Sequence, residues 1–161
     1  ASPLGYDPMT AASEIREVVD NFELLGDWDQ RYHYLVELGE RMPSMPTADK
    51  REENRVKECM STVHTAAYPD PTREGCLRYS GDCDSAIIKG VVAILVELFS
   101  GKTPSEIEAT DVDDLFAGLH LEEHLSPNRH VGVYAIVDKM KGQARKLAHL
   151  GEVSSGHANP I

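Results

Sequence analysis

The sequence predicts an α+β fold, a small antiparallel sheet flanked by helices. Three observations predict it. Apolar residues recur at helical spacing through the N-terminal quarter, two short runs of β-tolerant residues flank a Pro-Asp-Pro turn, and a nearly all-apolar segment follows them. A helix with one apolar stripe must bury it on another element, and a lone hairpin needs helices over one face to be stable.

Ile15, Val18, Val19, Phe22 and Leu25 recur at threes and fours, so a first helix is expected from about Thr10 to Leu24. Asp27 is placed to cap a second helix, with Tyr32, Leu35, Val36 and Leu38 on its inner face and Gly39 near its end. Met42 to Ala48, with Pro43 and Pro46, reads as an extended connection. Val56 to Tyr68 and Cys76 to Tyr79 read as the strands of a hairpin, turned at Pro69-Asp70-Pro71 and closed by Gly81-Asp82. From Asp84 the pattern is helical again. Ile87, Ile88, Val91, Val92, Ile94, Leu95, Leu98 and Phe99 cover most of a helix circumference, so this helix is central. Ser100-Gly101 ends it, and Thr103-Pro104-Ser105-Glu106 is a capping box that opens a short helix. Ser126-Pro127 opens the last helix, which includes Val133, Ile136, Val137 and Met140. Past about Leu150 the Gly, Ser and Pro content predicts a frayed end. The expectation is one domain over residues 10–150, with 1–9 and 151–161 as flexible termini.

Composition excludes several functions. The chain has 161 residues, 41% hydrophobic and 27% charged, with a net charge of −11. That charge argues against nucleic acid and an anionic membrane surface, because phosphate contacts need clustered Lys and Arg. It leaves a partner protein with a basic patch compatible. No stretch approaches the roughly 18 apolar residues of a membrane span. The 3 cysteines, Cys59, Cys76 and Cys83, are an odd, low count that suits a reducing compartment, so a cytoplasmic location is expected.

Cys59 sits in the polar stretch Asn54 to Ser61. If that stretch is extended, Arg55, Lys57 and Cys59 point the same way, and two cations beside a thiol favour the nucleophilic thiolate. The competing reading is a buried cysteine without a role. Cys76 reads as core filler, on the opposite face from Cys83 if the strand is regular. Cys83 stands at the strand-to-helix corner, either exposed near Cys59 or substituting for a helix cap. His120-Leu121-Glu122-Glu123-His124 matches the H-x-x-E-H zinc-protease pattern. It is squeezed between Gly118 and Pro127 and reads better as a solvated acidic turn, so no metal is expected there. Trp28, with Tyr32 and Tyr34, reads as a core anchor. No Gly-rich phosphate loop and no nucleophile elbow is present.

Five ordered segments resemble the SufE family of sulfur-acceptor proteins. Trp28 to Gly39, WDQRYHYLVELG, resembles its W-x-x-R/K-Y-x-Y-L/V-I/V-E-L-G run. Asn54 to Val63, NRVKECMSTV, resembles the N-x-V/I-x-G-C-x-S-x-V stretch that holds the active cysteine. Gly81 to Gly90, GDCDSAIIKG, resembles G-D-S-D-A-x-I-V-K-G; GKTPSEI at Gly101 matches a capping segment; and His124 to Gly132, HLSPNRHVG, resembles H-L-S/T-P-S-R-x-x-G. The resemblance covers about residues 13 to 148. It implies that Cys59 takes sulfur from a pyridoxal-phosphate cysteine desulfurase as a persulfide, stimulates that enzyme, and passes the sulfur to an iron–sulfur scaffold. The chain itself then needs no cofactor, the pyridoxal phosphate belonging to the partner, and is an accessory protein rather than a stand-alone enzyme. Asp84 and Arg129 match positions that hold the active loop or meet the partner.

Three departures stand out. Glu58 replaces a Gly that permits positive φ, so the loop must bend differently or carry strain. His64 replaces a Trp and is free to sit near the thiol. Cys83 replaces a Ser. This last change resembles the G-C-G-S-A-I segment of IscU-type scaffolds, so Cys59, Cys83, His64 and Asp84 form an alternative ligand set for a metal or cluster, although the later L-H-C-S cysteine of those scaffolds is absent.

Overall fold

The computed structural model describes residues 8–158, with side chains over 15–151. Residues 1–7 and 159–161, parts of the termini expected to be flexible, lie outside the described residues. The architecture is α+β: one two-stranded antiparallel sheet with seven α-helices and two short 3-10 helices among the described residues.

Helices α1 (Pro8–Leu25) and α2 (Trp28–Arg41) pack on each other, with Phe22 and Asn21 of α1 against Tyr34 of α2. Gly26 makes the corner at φ 61°, a conformation that Gly adopts without a Cβ penalty. Asp27 caps α2 by accepting from the Asp29 N–H at 2.8 Å. Trp28 lies at this corner, stacked on Tyr32 and edge-on to Phe22, so it anchors the pair.

Strands β1 (Val63–Pro69) and β2 (Leu77–Cys83) pair with Val63 opposite Cys83 and Pro69 opposite Leu77. The first strand is shorter than the sequence suggested. A strand needs a partner, and β2 gives way to helix just past Cys83, so residues 56–62 have nothing to pair with and form a loop. The second strand is longer: Gly81-Asp82 does not close it but pairs with Thr65 and His64. Leu77, Tyr79, Gly81 and Cys83 alternate inward on the buried face. That face rests on α3 (Ala86–Phe99) and α7 (Pro127–Ala158). Gly81 abuts Val92 and Val96 of α3, and the Tyr79 hydroxyl donates to the Met140 carbonyl of α7 at 2.6 Å.

Helix α3 is the centre of the molecule, as its composition required, with Ile88, Val91, Val92, Ile94, Leu95 and Phe99 buried. It crosses α2 where Gly90 meets the Leu35 backbone and Gly39 meets the Gly90 nitrogen. The capping box is fully formed at α4 (Pro104–Ala109): Thr103 accepts from the Glu106 N–H at 3.2 Å, and its own N–H donates to Glu106 at 2.9 Å. Two further short helices, α5 (Asp113–Gly118) and α6 (Leu121–His124), were not read from the sequence. They bury Leu115, Phe116 and Leu121, and Leu119 between them is buried as well. Helix α7 continues past Leu150 to Ala158. Gly151, Ser154, Ser155 and Gly156 are weak helix formers rather than breakers, and the first breaker downstream is Pro160.

Candidate functional site

Cys59 lies on the loop 57–62, which enters from a buried pair of anchors and leaves into β1. Asn54 is buried and donates to the Asp49 carbonyl at 2.9 Å, and Val56 is fully buried. The neck of the loop is closed by the Val56 N–H donating to the Val63 carbonyl at 2.8 Å. Its far side is held by Asp84. The Thr62 N–H donates to Asp84 Oδ1 at 3.0 Å, and the Asp84 N–H donates back to the Thr62 carbonyl at 3.2 Å.

The thiol is half-buried and packs on the core rather than standing in solvent. It rests on the bare backbone of Gly132 in α7: a methyl group there would stand 3.1 Å from Cys59 Sγ. Next to this seat two apolar side chains face solvent, Met60 at 78% and Val131 at 61% exposure. A shallow groove runs from Glu58 past His130, Val131, Tyr134 and Asp138. Tyr134 donates to Asp113 at 2.6 Å, and that bond, with burial and the surrounding carboxylates, pushes its phenol up to about 12.

The alternating register expected for Arg55, Lys57 and Cys59 does not form. Lys57 and Glu58 make a turn, and Arg55 lies 3.9 Å from Glu52. Glu58 needs no positive φ, because among the described non-glycine residues only His120 has one. Of the two alternatives at the missing Gly, the loop bends differently rather than holding Glu58 at positive φ. His64 is the second residue of β1, paired with Asp82 on the face away from Cys83. Arg129 is exposed in the first turn of α7, where its N–H donates to Ser126 Oγ at 3.3 Å.

Cys83 is buried, not exposed at the corner, because β2 runs past Tyr79 as far as Cys83 and alternation turns it inward. Its Sγ accepts from the Ser85 N–H at 3.4 Å. Burial pushes this thiol up to about 11, and Asp84, Cys59 and Asp82 add to the shift. Cys76 is buried as expected of core filler, but it precedes β2, so strand alternation does not set its direction.

The scaffold-type ligand set does not assemble. Among the described residues no group of three His, Cys, Asp or Glu is placed to hold a metal ion. Strand alternation puts His64 and Cys83 on opposite faces, and the Asp84 carboxylate is engaged by Thr62. His120 and His124 do not share a helical face either. His120 is a left-handed residue at φ 54° bonded to Glu23 at 2.9 Å, and His124 ends the four-residue α6 with its ring edge-on to Trp28.

The family model of SufE, described as an Fe-S metabolism associated domain, matches residues 16–144. The chain belongs to the SufE family. An uncharacterised SufE-like protein of Rhizobium meliloti is 35% identical over 133 residues, which cover 82% of this chain and 95% of that one. An uncharacterised SufE-like protein of Rhizobium etli is 34% identical over 140 residues, covering 84% of this chain and 93% of its own. The SufE match takes in the Cys59 loop, Asp84 and the Gly132 seat together, which ties the chain to iron–sulfur metabolism.

Sequence reasoning gave no role to Gly132, Thr62, Met60 or Val131. Gly132 carried a signal, since a Gly inside a helical pattern costs about 1 kcal/mol relative to Ala and implies a packing reason. Two outcomes follow for this SufE domain. Asp84→Ala removes the acceptor of the Thr62 N–H; losing about 1 kcal/mol of tethering raises the open-loop population about fivefold. Alkylation of Cys59 by iodoacetamide should quicken accordingly, and an unchanged rate would show that Asp84 does not hold the loop. Replacing His120 and His124 together with Ala should leave metal content unchanged. Only stability should fall, by about 1 kcal/mol for the lost Trp28 packing.

Proposed function

We propose that the protein is a sulfur carrier: Cys59 accepts sulfur from a cysteine desulfurase, stimulates that enzyme by unloading it, and delivers the sulfur for iron–sulfur cluster assembly. The observation that carries this reading is the placing of Cys59 in a SufE domain, on a loop joined to the rest by few tethers and carrying its thiol on a seat of bare backbone. A carrier needs one thiol that can be sheltered at rest and presented to a partner. It needs neither a metal nor a pocket for a small substrate.

In the transfer step the Cys59 thiolate attacks the terminal sulfur of the partner's persulfide. A sulfur–sulfur bond forms at Cys59, and the partner's cysteine leaves as a thiolate. Asp84 tethers the loop, and Arg129, exposed in the first turn of α7 three residues before Gly132, is a cation for the partner. The surroundings suit a protein partner. Met60 and Val131 offer an apolar centre, and Glu58, Asp138 and Lys139 border it with charges of both signs, as the polar rim of a protein interface does. No described helix is long and apolar enough to cross a membrane, and a cytoplasmic site of action agrees with free thiols. A downstream iron–sulfur scaffold takes the sulfur on.

The test is direct. The protein is incubated with a cysteine desulfurase, pyridoxal phosphate and free cysteine, then analysed by intact mass and peptide mapping. One added sulfur atom on Cys59 is expected. Sulfur mapped to Cys76, to Cys83 or to no cysteine would overturn the proposal.

A further inference from the structure

We propose that Cys83 is a resolving thiol for Cys59: when Cys59 carries a persulfide, Cys83 attacks its inner sulfur, closes a Cys59–Cys83 disulfide and expels the outer sulfur as hydrosulfide. The inference rests on the sulfur-carrier reading for its physiological meaning, though not for its chemistry.

Two thiols enter one layer of the molecule. Cys83 ends the inward-facing row of β2, on the face that rests on α3 and α7. Cys59 Sγ is turned onto α7 at Gly132, so it enters that layer from the loop side. The segments carrying the two thiols are bonded together. Thr62 and Asp84 exchange N–H donors, and Val63 stands opposite Cys83 in the ladder. Cys59 is among the groups whose charge bears on the Cys83 thiol. Cys76 has no such access. It precedes Leu77 at the other end of β2, and a strand of that length spans roughly 20 Å.

The chemistry balances within the protein. The bond between Cys59 Sγ and the outer sulfur breaks, and the bond between the two cysteine sulfurs forms. The outer sulfur keeps the electron pair and is reduced to sulfide, while the two cysteines are oxidised to a disulfide. The Cys83 proton passes to the outer sulfur of the Cys59 persulfide, which leaves Cys83 as the thiolate that attacks the inner sulfur and lets the outer one depart as hydrosulfide. A low-molecular-weight thiol then reduces the disulfide and resets the pair. A persulfide not collected by an acceptor is thereby discharged as free sulfide. A Ser at this position cannot do this, so the discharge is a property of Cys83 itself.

The experiment uses the full chain loaded at Cys59 in two ways, by sodium polysulfide and by a cysteine desulfurase with cysteine. Excess reagent is removed and the protein is held without reductant. Wild-type protein should lose the added sulfur and two hydrogens, release one sulfide per chain and yield a Cys59–Cys83 cross-linked peptide. Cys83→Ser and Cys83→Ala should keep the added sulfur about tenfold longer. Equal persulfide lifetimes in all three proteins, or disulfides joining Cys59 only between two chains, would overturn the inference. The polysulfide arm decides it without the desulfurase. If polysulfide loads Cys59 and Cys83 discharges it, while the desulfurase fails to load the chain, the pairing stands and the carrier reading falls.

Discussion

Cys59→Ser is expected to abolish stimulation of a cysteine desulfurase while leaving binding to it intact. The substitution keeps the side chain's length and makes it slightly smaller, so the seat on Gly132 accepts it. The loop's tethers run through Val56, Thr62, Val63 and Asp84 and do not involve the thiol. What is lost is the chemistry: a hydroxyl neither ionises near neutral pH nor carries a persulfide. Turnover should fall to the level of the desulfurase alone, and a pull-down should recover as much variant as wild type. Cys76→Ser is the control. It buries a hydroxyl and costs about 1–3 kcal/mol of stability if unpaired, yet it leaves stimulation in place. Full stimulation by Cys59→Ser would remove the sulfur-carrier reading altogether.

Gly90→Ala is expected to cost more stability than a methyl group added at Gly39, Gly81, Gly118 or Gly132, the other glycines packed against neighbours. Helices α2 and α3 cross at this residue, backbone on backbone. A methyl at Gly90 would overlap the Leu35 carbonyl oxygen and stand 2.7 Å from the Leu35 carbonyl carbon. Neither atom can swing away as a side chain would. The helices must separate, which loosens the α3 core around Leu35 and Ile94 and costs about 3 kcal/mol. For a domain of this size the melting temperature then falls roughly 6–12 °C. Gly142→Ala in α7 provides the contrast. Its nearest neighbour, the Arg145 guanidinium, is 4.0 Å away, so Ala should raise stability by up to about 1 kcal/mol through helix propensity. Thermal melts of the two variants give opposite shifts if the reading of the crossing is right.

The parts of this fold that were legible in the sequence are those specified by local pattern. The apolar spacing from Ile15 to Leu25, the Asp27 cap, the Thr103–Glu106 box and the apolar run of α3 each name their own element. What was not legible depends on partners distant in the chain. Val56 to Thr62 has strand-compatible residues, but whether it pairs is decided by where β2 stops, some twenty residues later. The same extension of β2 decides that Cys83 faces inward. Cys59 could be singled out by its segment's likeness to a family. Its setting could not, because the seat belongs to α7 and the tether to Asp84. The cation pair inferred from alternation failed for the same reason, since alternation holds only inside a paired strand. Ser126-Pro127, a local signal, named the start of α7, whereas nothing in the sequence pattern placed Arg129, which lies exposed in that helix's first turn.

The seat of the thiol bears also on the order in which the chain is made. Cys59 leaves the ribosome long before Gly132: the separation is 132 − 59 = 73 residues. At about 5–20 residues per second the interval is roughly 4–15 s. During it the nascent chain holds a cysteine with no helix to lie on. The bonds that fasten α7 to the sheet, from Gln143 to Thr65 and from Tyr79 to Met140, form later still. Each newly made molecule therefore passes through a period in which its thiol is open to any oxidant or electrophile, and shelter arrives only with the final helix.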